Sequence, residues 1–349
     1  MKIQKHIEIV RSTTPGLSSI GETSCRSVYN LLRSIYATVG ITILNNEEDL
    51  AALVARQPDL VFVGMKFVPR DENVSVWDSP KIWVTQYLDE HNIAYTGSGF
   101  VSHALELDKS LAKQRVLSAG LLTSPYSVIR RNATESSDFD KLTYPLFVKP
   151  TNRGGGLGVD SNSLVHSPQA LQLKAQSLSD EFNTDSLVEE YLPGREFSVA
   201  ILKDEFAEGN FLLMPLELIA PINKRGIRIL SDEVKSADVE TFIAVPQGAL
   251  RQSITALALN AFHALGAQDY GRIDIRLDGS GTPHFLEANL IPSLLDGYGN
   301  FPKACLLNAG IDYKSMILRI VRLGLNRSKT GKVILPDLEP ALFPSPSML

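Results

Sequence analysis

The sequence predicts an α/β protein, and three observations support this fold class. Strand-like and helix-like segments alternate through the first hundred residues, a pattern typical of a parallel sheet covered by helices on both faces. Farther along, apolar strand-like runs come in pairs around turns at residues 193–194 and 278–281. The 349 residues, 44% of them hydrophobic and 21% charged, are enough for two or three domains with buried cores.

The first hundred residues contain the clearest alternation. Apolar or β-branched runs predict three strands, at residues 6–10, 40–44 and 60–63. Apolar residues at helical spacing predict a helix over residues 24–38, and Asn46 is expected to cap a second helix that ends at Ala55. This order resembles half of a Rossmann-like domain. No G-x-G-x-x-G follows the first strand, however, so we do not infer a dinucleotide site.

The rest of the chain is predicted to combine antiparallel strands with three helices. The expected helices cover residues 108–119, 251–265 and 315–325. The expected strands cover residues 144–148, 187–191, 197–202, 270–277 and 284–290. Four prolines near the end predict an irregular tail over residues 331–349.

Charge and cysteine content exclude several classes of function. A net charge of −5 and a pI near 5.8 provide no basic field for nucleic acid. The N-terminus lacks a long apolar run behind its first charges, and no segment approaches the ~18 uninterrupted apolar residues of a membrane span. Cys25 and Cys305 match no metal-binding spacing, so we expect reduced, partly buried thiols. We therefore predict a cytoplasmic protein without nucleic-acid or membrane partners.

The strongest chemical signal lies in the last pair of predicted strands. Arg272 and Asp274 are two residues apart on one strand, and Glu287 and Asn289 are two apart on the next, so each pair shares a face. A hairpin would place Asp274 opposite Glu287 and Arg272 opposite Asn289, and a slip of one residue would destroy this arrangement. Carboxylate and amide oxygens suit Mg²⁺, and the guanidinium suits a phosphoryl group. The alternative is an ordinary charged, solvated sheet face.

A second signal is a lysine that ends a predicted strand and precedes a glycine-rich loop. Lys149 is followed by Gly154, Gly155 and Gly156, whose backbone N–H groups can approach phosphate oxygens closely. The lysine would add a positive charge for the same phosphates. The order differs from the G-x-x-x-x-G-K-[ST] loop, and a flexible turn is the alternative interpretation.

A third segment, residues 187–196, is apolar and acidic and contains a turn. Its backbone could meet an adenine edge, and Glu196 after the turn could accept hydrogen bonds from ribose hydroxyls. The spacing alone does not demand this role. A hairpin with exposed acidic side chains explains the same pattern.

Together and in this order, these residues resemble the ATP-grasp superfamily, and within it the D-alanine–D-alanine ligase branch, from about residue 95 to residue 325. The motifs that carry the resemblance are residues 95–99 (YTGSG), 107–109 (LDK) with Lys113, 148–150 (VKP), 188–192 (VEEYL), 194–196 (GRE), 271–274 (GRID) and 285–289 (FLEAN). The resemblance implies an ATP-grasp fold with four parts. These are an N-terminal Rossmann-like substrate domain (1–104), a small central lid domain (105–196), a C-terminal α+β catalytic domain (197–330) and the tail (331–349).

The resemblance also implies how ATP is bound. Phosphates would be held by Lys109 and Lys149, beside the glycine loop. Glu189 and Leu192 would meet the adenine, with Glu190 and Tyr191 on the same strand. Glu196 would bind the ribose.

For catalysis, the resemblance implies that Asp274, Glu287 and Asn289 hold Mg²⁺, two ions in all, for which Mn²⁺ can substitute. Arg272 would stabilise the transition state that leads to an acyl phosphate, and Lys235 would reach the γ-phosphate from a mobile loop. A surface lysine is the alternative for Lys235. The implied reaction has two steps, in which a carboxylate attacks the γ-phosphate and an amine then attacks the acyl phosphate. The substrates would be amino acids or other small acids and amines, and the protein a homodimer.

The regions that would bind the amino acids depart from the family pattern. In the first loop only Glu22 is available to bind an ammonium group, and the family's His-Gly motif is replaced by a segment that ends in Lys66. After Asn289 the family's Pro-Gly-Met and Ser-Leu residues are also replaced. The candidate substrate residues there are Ser293, Asp296 and Tyr298. We therefore predict that D-alanine is not the best substrate.

Two other classes of function stay open from the sequence. A non-catalytic ATP-binding sensor on the same fold would bind the nucleotide without turnover. A kinase-like phosphoryl transferase would release a stable phosphorylated product. The sensor predicts the loss of a metal or phosphate ligand, and the sequence retains each of the candidates.

Overall fold

The structure is a computed structural model, and it describes most of the 349-residue chain. The described residues are 1–131, 141–205, 209–222, 228, 234 and 239–330, with side chains as far as Arg327 in the last helix. The predicted tail over residues 331–349 and the candidate loop lysine, Lys235, lie outside the described residues.

The described residues form nine named helices and fourteen strands. The helices are α1 (Glu22–Arg33), α2 (Glu47–Ala55), α3 (Val84–Glu90), α4 (Phe100–Leu107), α5 (Lys109–Ser118), α6 (Pro168–Phe182), α7 (Ala249–Ala264), α8 (Asn300–Ala309) and α9 (Tyr313–Thr330). The strands are β1 (Ile3–Arg11), β2 (Tyr36–Ile43), β3 (Leu60–Val63), β4 (Phe67–Pro69), β5 (Lys81–Trp83), β6 (Tyr126–Ile129), β7 (Leu146–Pro150), β8 (Leu164–Val165), β9 (Ser186–Glu190), β10 (Glu196–Lys203), β11 (Phe211–Ile219), β12 (Thr241–Ala244), β13 (Tyr270–Leu277) and β14 (Pro283–Asn289).

The first sheet is parallel, as the alternation of strands and helices predicted. Its order is β2-β1-β3, and β1 pairs in parallel with both neighbours. The four residues of β3 are all buried, which is why this strand is a continuous apolar run in the sequence. Asn46 caps α2 through a capping box with Asp49, as its position before an acidic turn predicted.

The predicted helix over residues 24–38 is too long, and the structure corrects it. The helix ends at Arg33, and Tyr36 already belongs to β2. Five of the residues 37–43 are β-branched, which favours a strand, and the segment pairs with β1. Pairing with the central strand therefore overrides the helical spacing of Ile35 and Tyr36.

The second sheet is small and antiparallel, with the order β6-β9-β7-β8. Helix α6 begins with Ser167 as its N-cap and Pro168 in its first turn, and it covers one face of this sheet. Their shared core consists of Leu146, Val148, Val165, Leu171, Leu178 and Val188. This compact core makes β7 and β9 a firm base for the side chains of Lys149 and Glu189.

The third sheet has five antiparallel strands in the order β12-β11-β10-β13-β14. The predicted register of the last hairpin is confirmed: Arg272 lies opposite Asn289, and Asp274 opposite Glu287, with a bulge directly after that pair. In the turn, the Asp278 carboxylate accepts hydrogen bonds from the backbone N–H groups of Ser280 and Thr282, which fixes the loop. The turn chemistry thereby decides which side chains share a face.

Helix α9, the last element of the described chain, packs against the first sheet near the N-terminus. Its residues Met316, Ile317 and Ile320 are buried in the same core as β1 and β3. Arg327 Nη1 lies 2.7 Å from Asp269 Oδ2 and donates a 2.9 Å hydrogen bond to the Gly97 carbonyl. The last helix therefore fixes the first sheet against the third.

The two cysteines are free and buried, in agreement with the sequence prediction. Burial raises the pKa of the Cys305 thiol to about 12, so this thiol is held protonated and unreactive. None of the helices in the described ranges is long and apolar enough to cross a membrane.

Candidate active site

A cleft of about 530 Å³ lies among the three larger of the four sheets in the described part of the chain, the fourth being the β4-β5 hairpin. Most of the residues that the sequence singled out line it. They are Lys109, Lys149, Gly154, Gly155, Gly156, Glu189, Glu190, Tyr191, Leu192, Glu196, Arg272, Asp274, Glu287, Asn289, Ser293 and Tyr298. The fold therefore brings the predicted nucleotide-binding segments and the predicted metal-binding hairpin to one cleft.

Two of the candidate substrate residues lie elsewhere. Glu22 is exposed in the first turn of α1, where its carboxylate pairs with Arg26 at 2.7 Å, and it is not among the residues that line the cleft. Asp296 is exposed in the loop before α8 and does not line the cleft either. Glu22 is placed at a helix N-terminus, where a negative charge is stabilising, and Asp296 is exposed to solvent, so a substrate role for either residue stays a prediction.

The glycine-loop end of the cleft contains a buried cluster of one carboxylate and two lysines, which we call the phosphate cluster: Lys113, Lys149 and Glu189. Lys149 on β7 and Glu189 on β9 are diagonal neighbours, and their side chains meet at 2.7 Å. Lys113, from α5, lies 2.5 Å from the other oxygen of Glu189. The side chain of Lys113 is fully buried.

The charges in the phosphate cluster support each other. Burial raises the pKa of Glu189, but Lys113 and Lys149 outweigh it, and the pKa of the carboxyl is lowered. Burial lowers the pKa of Lys149, yet the attraction of Glu189 and Glu287 prevails and raises it. The pKa of Lys113 is lowered, because burial is the larger effect there. Glu189 thus keeps Lys149 charged at the mouth of the glycine loop.

Lys109 connects this end of the cleft with the third sheet. It is the first residue of α5, after the N-cap Asp108, and its ammonium donates to the carbonyl of Arg153 and lies 3.8 Å from Glu287 Oε2. Burial first, and then the charge of Lys149, lowers the pKa of Lys109. An anion in the cleft would therefore meet cations from both α5 and β7.

The face of β13 and β14 carries a tight polar group, which we call the carboxylate face: Arg272, Asp274, Glu287 and Asn289. Arg272 donates to both oxygens of Asp274 at 2.9 Å, and Asn289 Nδ2 donates to the same carboxylate at 3.0 Å. Ser198, opposite Asp274 on β10, adds a 2.6 Å bond. Burial lowers the pKa of Arg272, but Asp274 outweighs it and raises it, so the guanidinium stays charged.

The donor set of the carboxylate face fits a hard cation. Two carboxylates and one amide offer oxygen ligands from neighbouring strands, which matches what Mg²⁺ takes from a protein when phosphate and water complete its shell. In the described part of the chain, no group of three His, Cys, Asp or Glu side chains is arranged to hold a metal by itself. If a metal binds this face, the Asn289 amide oxygen and a nucleotide phosphate are the ligands that would complete the set offered by the two carboxylates.

The C-terminal end of β13 lies beside Glu196, the residue expected to bind ribose. Arg276 Nη1 lies 2.9 Å from Glu196 Oε2, and Nη2 lies 3.0 Å from the Tyr191 hydroxyl. Sequence reasoning missed Arg276. The signal was available, because Arg272, Asp274 and Arg276 alternate along one strand and so share one face.

The N-terminal side of the cleft carries an ion pair that we call the Lys66–Glu106 pair. Lys66 follows β3, and its ammonium lies 2.9 Å from Glu106 Oε1 on α4. Both residues line the cleft, together with Ser293 and Tyr298. The departure at Lys66 was visible in the sequence, whereas nothing in the spacing pointed to Glu106.

Comparison with known proteins places this geometry in a family. The family model for the D-Ala–D-Ala ligase C-terminus matches residues 116–322, more than half of the chain. A D-alanine–D-alanine ligase of Nitrosococcus oceani is 35% identical over 244 residues, covering 69% of this chain and 72% of the relative. The chain belongs to the D-alanine–D-alanine ligase family. It is thus an ATP-dependent ligase of the peptide-forming kind.

Two further comparisons concern an uncharacterized relative and a solved structure. The uncharacterized protein y4sG of Sinorhizobium fredii is 31% identical over 248 residues, which cover 70% of each chain. The crystal structure of the Bacillus anthracis D-alanine–D-alanine ligase complexed with ATP covers 93% of this chain and 99% of its own, with a TM-score of 0.71 at 20% identity. That likeness confirms the predicted ATP-grasp fold. The division of this ligase into domains at residues 104, 196 and 330 stays a prediction.

Proposed function

We propose that this ligase joins a small carboxylic acid, such as an amino acid, to an amine through an acyl phosphate and releases ADP and phosphate. The observation that carries the proposal is the convergence of Lys109, Lys149 and the carboxylate face on one cleft. Four separate elements, α5, β7, β13 and β14, supply these groups, which would neutralise a transferring phosphoryl group from several sides.

The nucleotide would occupy the end of the cleft between β9 and β13. Lys109, Lys149 and the backbone of Gly154, Gly155 and Gly156 would hold the phosphates. Glu190, Tyr191 and Leu192 would flank the adenine, and Glu196 with Arg276 the ribose. Glu189 would hold the two lysines of the phosphate cluster rather than meet the adenine, because both of its oxygens already face lysine ammonium groups.

Asp274, Glu287 and Asn289 would hold Mg²⁺, two ions by analogy with the family, and Mn²⁺ could replace it. When bound, such ions neutralise phosphate charge and orient the γ-phosphate. Arg272 would stabilise the charge that develops as the acid oxygen attacks phosphorus. Lys235, outside the described residues, would add a further cation from its loop.

The substrate pockets would differ from those suited to D-alanine. Support comes from the Lys66–Glu106 pair, which occupies the side of the cleft where the family has a His-Gly motif. Tyr298 and Ser293 line the cleft in the segment before α8, whereas Glu22 is exposed, pairs with Arg26 and is not among the lining residues. We therefore expect an acid–amine pair other than two D-alanines to react best.

The experiment that tests the proposal is ADP release with Mg·ATP against single and paired D- and L-amino acids, with mass spectrometry of the products. An amide together with ADP and phosphate is the expected result. A stable phosphorylated product would favour a kinase, and ATP binding without turnover on any pair would favour a sensor. Highest activity with D-alanine alone would contradict the proposal of altered substrate pockets but would support the proposed ligase reaction. Light scattering tests the expected homodimer.

A further inference from the structure

Lys66 stands apart from the cations that the proposed reaction already uses. It follows β3 on the N-terminal side of the cleft, where Met65 bridges to the Ser18 backbone. The side chain of Lys66 is 18% exposed and lines the cleft. Among the described residues, the acceptor that the structure gives for its ammonium is Glu106. An ammonium has three N–H donors, so the geometry leaves capacity for a second anion from the cleft.

Glu106 is hydrogen-bonded at both oxygens by other groups. The backbone N–H of Leu290 donates to Oε1 at 2.9 Å, and Nδ1 of His103 lies 3.2 Å from Oε2. Burial raises the pKa of Glu106, but Lys66 and His103 outweigh it, and the pKa is lowered. The carboxylate thus holds Lys66 in place, while its own hydrogen bonds do not depend on the lysine alone.

The position of Lys66 relative to the proposed chemistry follows from the shared oxygen. Lys66 Nζ and the Leu290 amide both lie 2.9 Å from Glu106 Oε1. Leu290 directly follows Asn289, the last residue of the carboxylate face. The lysine ammonium is therefore next to the strand end where the acid substrate would approach the γ-phosphate. The charge of Lys66 also reaches Lys109, whose pKa it lowers after the larger effects of burial and Lys149.

We propose that Lys66 binds the reacting carboxylate of the acid substrate and holds it for attack on the γ-phosphate. This inference rests on the proposed function. In that step a carboxylate oxygen forms a bond to phosphorus, the bond from phosphorus to the bridging oxygen of ADP breaks, and ADP leaves with that electron pair. Two anions must approach each other, so a cation between them lowers the barrier. Lys66 contributes charge and orientation and transfers no proton.

The geometry also assigns Glu106 as the positioning residue for Lys66. The pair connects α4 and the β14 strand end with the loop after β3, so the donor contact depends on three separate segments. A purely structural role would make Lys66 the partner that neutralises a buried carboxylate. The two roles predict different behaviour when both members of the pair are replaced together.

The test measures steady-state ADP release on the full chain, with D-alanine and with the best pair from the amino-acid panel. Lys66→Met is expected to lower kcat/KM for the acid about 100-fold or more, with the KM for ATP within about twofold of wild type. Lys66→Arg, which keeps the charge, is expected to recover part of the loss. Lys5→Met is the matched control, since that lysine also pairs with a carboxylate, Asp59 at 2.5 Å, but lies outside the cleft.

The double variant Lys66→Met with Glu106→Gln separates the two roles. It removes the buried carboxylate together with its partner, so a structural lysine would no longer be needed and activity would return. We expect activity to stay as low as in Lys66→Met, while Glu106→Gln alone, which retains the lysine, loses less. Recovery in the double variant, or an unchanged kcat/KM in Lys66→Met, would overturn the assignment of Lys66. Absence of ADP release by the wild type on every pair would overturn the proposed function itself.

Discussion

The phosphate cluster and the Lys66–Glu106 pair share one arrangement of charges, although they lie on different sides of the cleft. In each, a buried carboxylate lies between two basic side chains: Glu189 between Lys113 and Lys149, and Glu106 between Lys66 and His103. Burial alone would raise the pKa of both carboxyl groups, and the neighbouring basic side chains lower it in both. In each site the carboxylate fixes a lysine at the wall of the cleft.

The two clusters differ in how they relate to the family. Lys113, Lys149 and Glu189 all belong to motifs that the chain shares with the D-alanine–D-alanine ligase family. Lys66 stands where the family pattern is broken. From this comparison we predict that the nucleotide end of the cleft follows the family pattern, whereas the N-terminal end, around Lys66, departs from it. Substitutions in the two regions should therefore affect different kinetic parameters.

The largest effect is expected from Asp274→Asn. The change removes one of two carboxylates from the carboxylate face and leaves the partly buried Arg272 without the carboxylate that it contacts at 2.9 Å. We expect kcat for ADP release to fall about 1000-fold, measured at saturating ATP and Mg²⁺. Asp296→Asn is the control, because that carboxylate is exposed and outside the cleft. A loss of similar size in the control would indicate that Asp296 takes part in the reaction. It would also contradict the expected difference between the nucleotide end and the N-terminal end of the cleft.

The next effect tests the phosphate cluster as a structural unit. Glu189→Gln leaves Lys113 and Lys149 buried without a counter-charge, so we expect the free energy of unfolding to fall by about 3 kcal/mol in urea titrations. ATP binding should weaken in parallel. Glu22→Gln breaks an ion pair whose two side chains are 66% and 68% exposed, and should cost less than about 0.5 kcal/mol. Equal losses in the two variants would contradict the importance of burial.

Acid should weaken both clusters together. Glu106 and Glu189 have folded-state pKa values below the usual 4.5, so their contribution to stability is complete above that pH. It is lost as the pH falls through the lowered values, because protons then bind the unfolded chain first. We expect the free energy of unfolding to fall below pH 4.5 by up to about 1.4 kcal/mol per pH unit for each carboxylate. The Glu189→Gln variant should show a shallower slope, and an unaltered slope would contradict its charged state.

The smallest effect is expected where the N-terminal segment touches the second sheet. Asp78 lies 2.7 Å from Arg131 and accepts a 2.6 Å hydrogen bond from Asn183, and the Arg153 guanidinium lies 4.2 Å above the Trp77 ring. Asp78→Ala should lower the free energy of unfolding by about 0.5–1 kcal/mol, because the pair is partly exposed. We also expect a rise of a few-fold in the KM for ATP. An unchanged KM would show that this contact does not help to close the cleft.

Much of the fold and of the nucleotide end could be predicted from the sequence. Alternation of apolar and polar residues located β13 and β14, and two-residue spacing placed Arg272 and Asp274 on one face. The confirmed register depended on the turn at Asp278, whose side chain was a local signal. Periods of two and 3.6 residues are properties of the chain itself, so such features survive without knowledge of the tertiary structure.

The features that could not be predicted from the sequence are those in which distant segments of the chain meet. The N-terminal helix was extended past Arg33 because helical spacing gives no information on which strand will pair with β1. Glu22 has the chemistry of an ammonium ligand, but its exposed position on α1, where it pairs with Arg26, could not be read from the spacing. Glu106 carried no signal, since its role depends on Lys66 and Leu290, which lie far from it in the chain.

The sequence by itself determined the fold class, the family resemblance and the two polar strand faces, because each depends on local periodicity or on motifs in a fixed order. Only the tertiary structure decided which lysines and carboxylates share one buried space. The strength of charge pairs such as Lys113 with Glu189 and Lys66 with Glu106 depends on burial and distance. Those quantities arise when the sheets pack around the cleft, and no spacing along the chain contains them.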